Sequence, residues 1–388
     1  MGNDFICPRC GNQDSKYVGY INGKPYCRFC ISMKGKQADK KRKANGSVVL
    51  KLDYSLSRDQ KKLSEQIVAN YKNKIDTLVN AVCGAGKTEL IYSIMAYCLS
   101  LGKAVAFAVP RRDVVIELSQ RIHMVFPNNS IVSVYGGHTE KLVADIVVLT
   151  THQLYRYEKY FDLIILDEID AFPFKNNKLL NSMFFRAVKG NIVMMSATPS
   201  KDVIDFFSQN GKQILELNTR FHKHPLPVPK VITRIGVLKL PYLILKLRKF
   251  IKGGKKVFVF APTISKCESI YKIIKICVKN GTFVHSKRKD RAQIISKFKH
   301  GGYDYLLTTA VLERGVTFKD LQVIIYDADN ELYKSQTLIQ IAGRVGRKID
   351  APEGEVIFLV NKRTSEIDDA IKTIESKNRH LQNMLQTN

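Results

Sequence analysis

Two kinds of hydrophobic pattern follow one another along most of this chain. From about residue 51, short continuous apolar runs are separated by longer segments with helical periodicity. Continuous apolar runs are typical of parallel strands buried on both faces, and their alternation with helices predicts a parallel sheet covered by helices. In the first half of the chain the predicted strands are 77–82, 104–109, 145–149, 163–166 and 192–195, and a helix is predicted at 88–101.

A second α/β series follows a proline-bearing stretch. Pro225, Pro227 and Pro229 favour an extended backbone and mark a break between the two series. The strands predicted beyond this break are 257–260, 305–308, 323–326 and 356–360. We therefore expect an α/β fold with two parallel-sheet lobes and a nucleotide cleft between them.

The same pattern divides the chain into five parts. A short segment with four cysteines comes first, followed by a polar, lysine-rich linker and then by the two lobes. The predicted boundaries are 1–33 for the cysteine module, 34–50 for the basic linker, 51–205 for the first lobe, 206–230 for the interlobe linker and 231–388 for the second lobe.

Positive charge is concentrated in two parts of the chain. The 62 Lys and Arg residues exceed the 35 Asp and Glu residues by 27. Residues 1–50 contribute 10 − 3 = +7, and residues 231–300 contribute 18 − 2 = +16. A single charge cluster is often only a solvated face, but an excess of this size indicates a polyanionic partner, either nucleic acid or an anionic membrane surface.

Several classes of protein do not fit the sequence. No apolar run approaches the roughly 18 to 20 residues that span a bilayer, so no transmembrane segment is expected. The N-terminus shows no basic region followed by an apolar stretch, so a secretory signal is not expected either. These observations predict a cytoplasmic protein.

The cysteines of the first segment are spaced as metal ligands. Cys7 and Cys10 form one C-x-x-C pair, Cys27 and Cys30 form another, and sixteen residues separate the pairs. This spacing is typical of structural zinc sites, in which two tight turns present four thiolates to one ion. Redox-active cysteine pairs are the alternative. Whether the module would bind nucleic acid or a protein partner is left open by the residues.

A glycine-bearing loop follows the first predicted strand and opens a predicted helix, as a phosphate-binding loop does. Lys87 is expected to reach the β- and γ-phosphates of a nucleotide, and Thr88 is expected to bind Mg²⁺. Alanine replaces the usual first glycine, a departure that helicase-type ATPases share. The candidate nucleotide-binding residues of this loop are Ala81, Gly84, Ala85, Gly86, Lys87 and Thr88.

Two adjacent carboxylates follow a later apolar strand. Asp167 and Glu168 come directly after the run 163–166, at the end of a strand where α/β sheets bind ligands. Asp167 is expected to hold Mg²⁺, and Glu168 is expected to orient the attacking water. An acidic loop without a catalytic role is the alternative, but its position about 80 residues beyond a phosphate loop favours the ATPase interpretation.

Further segments resemble, in order, the motifs of superfamily 2 helicases and translocases. The resemblance covers residues 56 to 347 and implies two RecA-like lobes. The matching segments are LSRDQ at 56–60, VPRR at 109–112, LTTH at 149–152, SAT at 196–198, FVFAPT at 258–263, TT at 308–309 with ERGVT at 313–317, and QIAGRVGR at 340–347. Because Arg344 and Arg347 are three residues apart, we expect them on one helical turn, facing the γ-phosphate as arginine fingers.

The resemblance implies roles for the remaining motif residues. Gln60 would read adenine, and Gly315 and Thr317 would also contact the nucleotide. Ser196, Thr198 and Gln340 would couple hydrolysis to movement. The implied nucleic-acid contacts are Pro110, Arg111, Arg112, Thr150, Thr263, Thr308 and Thr309.

The order of the modules narrows the resemblance. A four-cysteine module directly precedes the first lobe of a short chain, which is similar to the ComFA family of competence proteins. That resemblance implies a motor for single-stranded DNA that uses ATP, Mg²⁺ and Zn²⁺ during DNA uptake. It also implies a position at the inner face of the membrane, beside an uptake channel and the phosphoribosyltransferase-like protein ComFC, and allows a homo-oligomer.

Two other functions are compatible with the motifs. The first is a duplex-unwinding DNA helicase of the PriA type or an RNA helicase, although PriA-type enzymes carry their cysteines within the second lobe. The second is an ATP-gated clamp or scaffold without motor activity. The full hydrolytic set, Lys87, Asp167, Glu168, Arg344 and Arg347, argues against a clamp.

Overall fold

The computed structural model describes residues 5–31, 33, 35–39, 47–168, 177–309 and 318–386. The chain divides into two units, each with its own hydrophobic core. The first unit comprises Met1–Ala81 and Gly86–Leu217, and the second comprises Val82–Ala85 and Asn218–Asn388. The predicted domain boundaries within these units remain predictions.

The N-terminal segment contains a β-hairpin. A 3-10 helix at Ser15–Tyr17 leads into strand β1 (Val18–Ile21), which pairs antiparallel with β2 (Lys24–Cys27). Asn22 and Gly23 form the two-residue turn and both have a positive φ, 49° and 73°. This backbone conformation matches the twist of the strands, and Asn-Gly is the residue pair that adopts it most readily.

The first unit is built on a seven-stranded sheet whose neighbouring strands are all parallel. The strand order is β5-β6-β4-β7-β8-β3-β9. The strands are β3 (Thr77–Ala81), β4 (Val105–Val109), β5 (Ile131–Val134), β6 (Ile146–Thr150), β7 (Phe161–Asp167), β8 (Val188–Ser196) and β9 (Gln213–Leu217). The helices are α1 (Arg58–Lys72), α2 (Lys87–Leu90), α3 (Tyr92–Ser100), α4 (Arg112–Val125), α5 (Lys178–Ala187) and α6 (Lys201–Gln209), with a 3-10 helix at Thr151–Arg156.

The second unit is built on a six-stranded parallel sheet in the order β10-β15-β14-β11-β13-β12. The strands are β10 (Lys230–Thr233), β11 (Lys256–Phe260), β12 (Gly281–Val284), β13 (Tyr305–Thr308), β14 (Leu321–Tyr326) and β15 (Val356–Val360). The helices are α7 (Lys239–Lys252), α8 (Ile264–Cys277), α9 (Arg291–Lys299), α10 (Ser335–Ala342) and α11 (Ser365–Gln386), with a 3-10 helix at Gly236–Leu238.

The predicted α/β architecture with two parallel sheets is confirmed. Each strand predicted from a continuous apolar run overlaps a strand of the structure. Within 206–230, the range predicted as a linker, α6 ends at Gln209 and β9 forms an edge strand of the first sheet. Among the described helices, none combines the length and the apolar character needed to cross a bilayer.

Candidate nucleotide site and zinc-binding module

The predicted phosphate loop connects β3 to α2. Gly84 and Gly86 both have a positive φ, 84° and 77°, which glycine adopts without strain. A Cβ atom added to Gly86 would lie 2.5 Å from Nε2 of Gln60. The side chain of Gln60 therefore lies directly against the loop, and a side chain at position 86 would displace its amide in addition to straining the backbone.

Gln60 also has a local structural role. It lies in the first turn of α1 and forms a capping box with Ser57, in which its backbone N–H donates to Oγ of Ser57 at 3.3 Å and its Oε1 accepts from the Ser57 backbone N–H at 2.9 Å. The side chain is 5% exposed. This cap fixes the amide group beside the phosphate loop, and adenine recognition by Gln60 stays a prediction.

The two candidate catalytic carboxylates lie at the end of β7. Oδ1 of Asp167 accepts a hydrogen bond from the backbone N–H of Glu168 at 2.9 Å. Glu168 has φ = 57°, a left-handed conformation that is uncommon for a non-glycine residue and occurs often at functional sites. Residues 169 and 170, which continue this motif, lie outside the described residues.

The order and register of the strands bring three motifs to one edge of the first sheet. Strand β8 lies between β7 and β3, with Asp167 opposite Met195 and Asn80 opposite Ser196. The carboxyl ends of these parallel strands are therefore level. The phosphate loop after Ala81, the carboxylates and the Ser-Ala-Thr segment consequently lie side by side, as the predicted ATPase site requires.

The Ser-Ala-Thr segment forms a buried turn after β8. Oγ of Ser196 accepts a hydrogen bond from the backbone N–H of Thr198 at 2.9 Å. The two residues are 1% and 8% exposed. This turn directly follows the strand between the carboxylates and the phosphate loop, and its coupling role stays a prediction.

Predicted nucleic-acid contacts of the first unit lie at the same edge of the sheet. Thr150 ends β6 and is opposite Val109, the last residue of β4. Pro110, Arg111 and Arg112 follow β4 and lead into α4. Arg112 is exposed, and its guanidinium group lies 4.8 Å from the ring centroid of Tyr135. Their roles in binding nucleic acid stay predictions.

The predicted contacts of the second unit differ in accessibility. Thr263 caps α8 by accepting a hydrogen bond from the backbone N–H of Lys266 at 3.1 Å. Thr308 is fully buried and donates its hydroxyl to the carbonyl of Thr309 at 3.0 Å, so this hydroxyl is used within the protein. Gly315 and Thr317 lie outside the described residues.

The predicted arginine fingers are not on a helical turn. Helix α10, which carries the buried Gln340, ends at Ala342, and residues 343–346 form a turn. Gly346 has φ = 67°, and a Cβ atom there would lie 2.1 Å from the carbonyl oxygen of Pro352. Arg344 is 1% exposed, whereas Arg347 is half-buried and donates from Nε to the carbonyl of Gly343 at 3.0 Å. The expected helical spacing is therefore wrong, because α10 ends two residues before Arg344.

The structure divides the lysines of the basic stretch 231–300 into some that form ion pairs within the second unit and others that are exposed. Several form ion pairs inside the second unit; Lys246 with Glu355 at 3.0 Å is one. Lys287 and Lys289 are exposed in the loop after β12, at the carboxyl end of that strand. Sequence reasoning identified the whole stretch but did not select this loop. A basic run directly after a short strand was the signal that could have done so.

The four N-terminal cysteines form a compact ligand set. The Sγ atoms of Cys7, Cys10, Cys27 and Cys30 all lie within 4.8 Å of one another, and all four residues are buried. The Cys7–Cys30 and Cys10–Cys27 sulfur pairs are 3.7 and 3.6 Å apart. A tetrahedral zinc site with Zn–S bonds of about 2.3 Å places its sulfurs about 3.8 Å apart, so the cluster fits zinc and not disulfides.

The electrostatics of the cluster also suit a cation. Burial raises the pKa of Cys30 to about 11 and also raises that of Cys10. Burial acts in the same direction on Cys7, but hydrogen bonds from the backbone N–H groups of Cys10 and Arg9 outweigh it and lower the pKa of Cys7. A divalent cation would stabilise all four thiolates and displace the protons.

The cysteine module packs against the first lobe. The cysteines share a hydrophobic cluster with Tyr155 and Met183, and the guanidinium group of Arg9 lies 5.3 Å from the ring centroid of Tyr155. Tyr155 belongs to the 3-10 helix Thr151–Arg156, which begins immediately after Thr150. The module therefore contacts the segment that follows a predicted nucleic-acid-binding motif.

Both lobes match known domain families. Residues 53–201 match the family described as "Type III restriction enzyme, res subunit", and residues 240–348 match "Helicase conserved C-terminal domain". The chain is 34% identical to the competence protein ComFA of Streptococcus pneumoniae, over 97% of this chain and 90% of that protein. It is 32% identical to ComFA of Bacillus subtilis, over 96% of this chain and 86% of that protein. The chain belongs to the ComFA family.

Solved structures agree with this assignment at the level of fold. Saccharomyces cerevisiae Dbp5 bound to RNA and ADP BeF3 covers 84% of this chain, with 92% of its own chain matched, a TM-score of 0.63 and 16% identity. RecG bound to a three-way DNA junction covers 84% of the chain, with 47% of its own chain matched, a TM-score of 0.60 and 20% identity. This member of the ComFA family is thus a helicase-type ATPase with two RecA-like lobes.

Lys87→Ala is expected to lower the kcat for ATP hydrolysis by about a hundredfold or more, because it removes the cation that is predicted to stabilise charge on the phosphates. Steady-state phosphate release measures the effect. Lys72→Ala, at the exposed C-terminal end of α1, is the matched control and should retain wild-type turnover. Undiminished hydrolysis by the Lys87 variant would contradict the assignment of the phosphate loop.

Cys27→Ser is expected to abolish stoichiometric zinc binding and to lower the thermal stability of the N-terminal module, because a three-thiolate site holds the ion less tightly. Metal analysis of the purified protein and thermal unfolding measure the two effects. Cys277→Ser removes an exposed thiol outside the cluster and should leave the zinc content unchanged. Equal zinc content in the two variants would refute the four-cysteine site.

Proposed function

We propose that this protein is an ATP-dependent translocase for single-stranded DNA that drives DNA uptake during natural transformation. The observation that carries the proposal is the edge of the first sheet, where the phosphate loop, Asp167–Glu168 and the Ser196–Thr198 turn lie on neighbouring strands in a chain of the ComFA family. The relatives named competence proteins support the biological context.

Hydrolysis is assigned to residues of this edge. Lys87 would contact the β- and γ-phosphates, and Thr88 and Asp167 would hold Mg²⁺, which would neutralise phosphate charge. Glu168 orients the attacking water. Its unusual backbone conformation supports this role, because strain of that kind is retained where the direction of a side chain matters. Arg344 and Arg347 are the candidates for stabilising charge on the γ-phosphate.

Nucleic acid is assigned to the carboxyl edges of the two sheets. Thr150 and the residues after β4 supply this surface in the first unit, and the loop after β12 supplies it in the second. Backbone phosphates are the expected ligands, because Arg112, Lys287 and Lys289 are exposed cations at these edges. The chain has no Trp, so any base stacking must use Tyr, Phe or His.

The cysteine module is assigned a structural zinc ion. Four cysteine ligands leave no open position for catalysis, and a segment with so few apolar residues needs the metal to fold. The proposed cellular partners, a membrane uptake channel and a ComFC-type protein, follow from the family alone.

ATP hydrolysis should increase strongly with single-stranded DNA and little with duplex DNA or single-stranded RNA, because the proposed motor moves along single DNA strands. Parallel steady-state assays with each nucleic acid, and without any, measure this selectivity. Equal or greater stimulation by duplex DNA would indicate an unwinding helicase. Stimulation by RNA alone would indicate an RNA helicase, and hydrolysis that no nucleic acid changes would contradict a translocase.

The affinity for single-stranded DNA should fall steeply with salt, because phosphate contacts release counterions. Lys287→Ala with Lys289→Ala should reduce the slope of log affinity against log salt by about 1.4, or about 0.7 for each phosphate contact on a single strand. Fluorescence anisotropy at several salt concentrations measures these slopes.

The matched control for this pair removes two lysines from the same basic stretch. Lys272 and Lys275 are exposed in the second half of α8, which runs away from the carboxyl end of β11 toward the amino end of β12. Their double alanine variant should keep the wild-type slope. Equal slopes for both double variants would show that the loop after β12 does not contact phosphates.

A further inference from the structure

A buried arginine that belongs to none of the sequence motifs follows the last strand of the first sheet along the chain. Arg220 is 1% exposed and ranks among the largest fully buried side chains of the described residues. In the described part of the chain, no carboxylate lies within ion-pairing distance of it. Burial, together with the nearby charge of Arg347, lowers the pKa of Arg220 to about 10. Burying a cation without a counter-ion is costly, so its retention at this position calls for a physical explanation.

The guanidinium group of Arg220 donates three hydrogen bonds, all to backbone carbonyls. Its acceptors are Gly346 at 2.7 Å, Gly343 at 3.2 Å and Cys83 at 3.2 Å. The second unit includes all of these residues, because it contains Val82–Ala85. Gly343 and Gly346 are the first and last residues of the turn that follows α10 and contains Arg344. The carbonyls of this turn lie beyond the helix and lack helical N–H partners, so Arg220 supplies hydrogen-bond donors to two of them.

A second side chain holds the same turn. Nε2 of His222 lies 3.0 Å from the Gly346 carbonyl, and its Nδ1 lies 3.1 Å from the backbone N–H of His224. Since Nδ1 accepts that hydrogen bond, Nε2 carries the proton and donates to Gly346. Burial and the charge of Arg220 lower the pKa of His222, consistent with this neutral form.

Arg347 is connected to the same arrangement. Its Nε donates to the carbonyl of Gly343, which also accepts from Arg220. One oxygen therefore joins the buried arginine to a predicted arginine finger. A shift of Arg220 would therefore disturb the carbonyl to which Nε of Arg347 is bound.

We infer that Arg220 is a positioning residue for ATP hydrolysis, which holds the turn 343–346 so that Arg347, the residue that follows it, is directed correctly before the nucleotide binds. This inference rests on the proposed role of Arg347. Arginine is needed because its planar group presents several donors in fixed directions, whereas lysine presents one compact ammonium group. Arg220 acts through the backbone of the turn and touches no reacting atom.

A double-mutant cycle with Arg347 tests the inference. Arg220→Lys should lower the kcat for ATP hydrolysis by about tenfold while the KM for ATP changes by less than about threefold, because the turn acts mainly in the transition state. In an Arg347→Ala background the same substitution should lower kcat by less than about twofold, because the group that it positions is gone. Steady-state hydrolysis at saturating single-stranded DNA measures all four proteins.

His222→Ala provides a second test that does not alter a fully buried charge. It removes one donor to Gly346 and should lower kcat by a smaller factor, again without a further loss in the Arg347→Ala background. The matched control is Arg156→Lys, since Arg156 is also buried, at 8% exposure, and donates to the backbone carbonyl of Lys36 at 2.7 Å. This control should lower the melting temperature without lowering kcat.

The outcomes distinguish a failure of the inference from a failure of the proposed function. If the Arg220 and Arg347 losses multiply in the double variant, Arg220 has only a structural role and the inference is overturned. If Arg347→Ala hydrolyses ATP at the wild-type rate, the assignment of the arginine finger fails, and the inference fails with it. Wild-type protein without ATP turnover would overturn the proposed function itself.

Discussion

The level carboxyl ends of β7, β8 and β3 are the constraint on which the candidate ATPase site depends. Backbone hydrogen bonds fix Asp167 opposite Met195 and Asn80 opposite Ser196. Segments that are far apart in the sequence therefore reach one edge of the sheet together. A slip of one residue in either pairing would turn the strand's buried side chains to the opposite face, so packing on both faces of the sheet enforces the register that the site requires.

In the second unit, buried polar side chains hold the turn 343–346 in place. A sheet positions only the residues at its strand ends, and the turn 343–346 lies beyond the end of a helix. Arg220 and His222 supply the hydrogen-bond donors that the turn lacks. A buried arginine with no carboxylate partner among the described residues is an expensive way to hold a turn, and the combination of cost and position is the reason for assigning it a role in the chemistry.

The cysteine module depends less on apolar packing than the two sheets do. It has few apolar residues, and its core is the cysteine cluster itself, so metal ligation is the main interaction available to it. Its contact with Tyr155 and Met183 nevertheless attaches it to the first lobe instead of leaving it on a flexible tether. The contact reaches the helix that follows Thr150, which links the module to the predicted nucleic-acid surface.

The sequence by itself determined the interior of the fold and the identity of the main motifs. The strands that were predicted are the nine at interior positions of the two sheets, because burial on both faces requires a continuous apolar run. Only tertiary structure decided the edge strands β5, β9, β10 and β12, whose residues are mostly half-buried and carry no such run. It also decided the turn that carries Arg344 and the partners of Arg220, since spacing along a chain shows neither where this helix ends nor which carbonyls a distant side chain reaches.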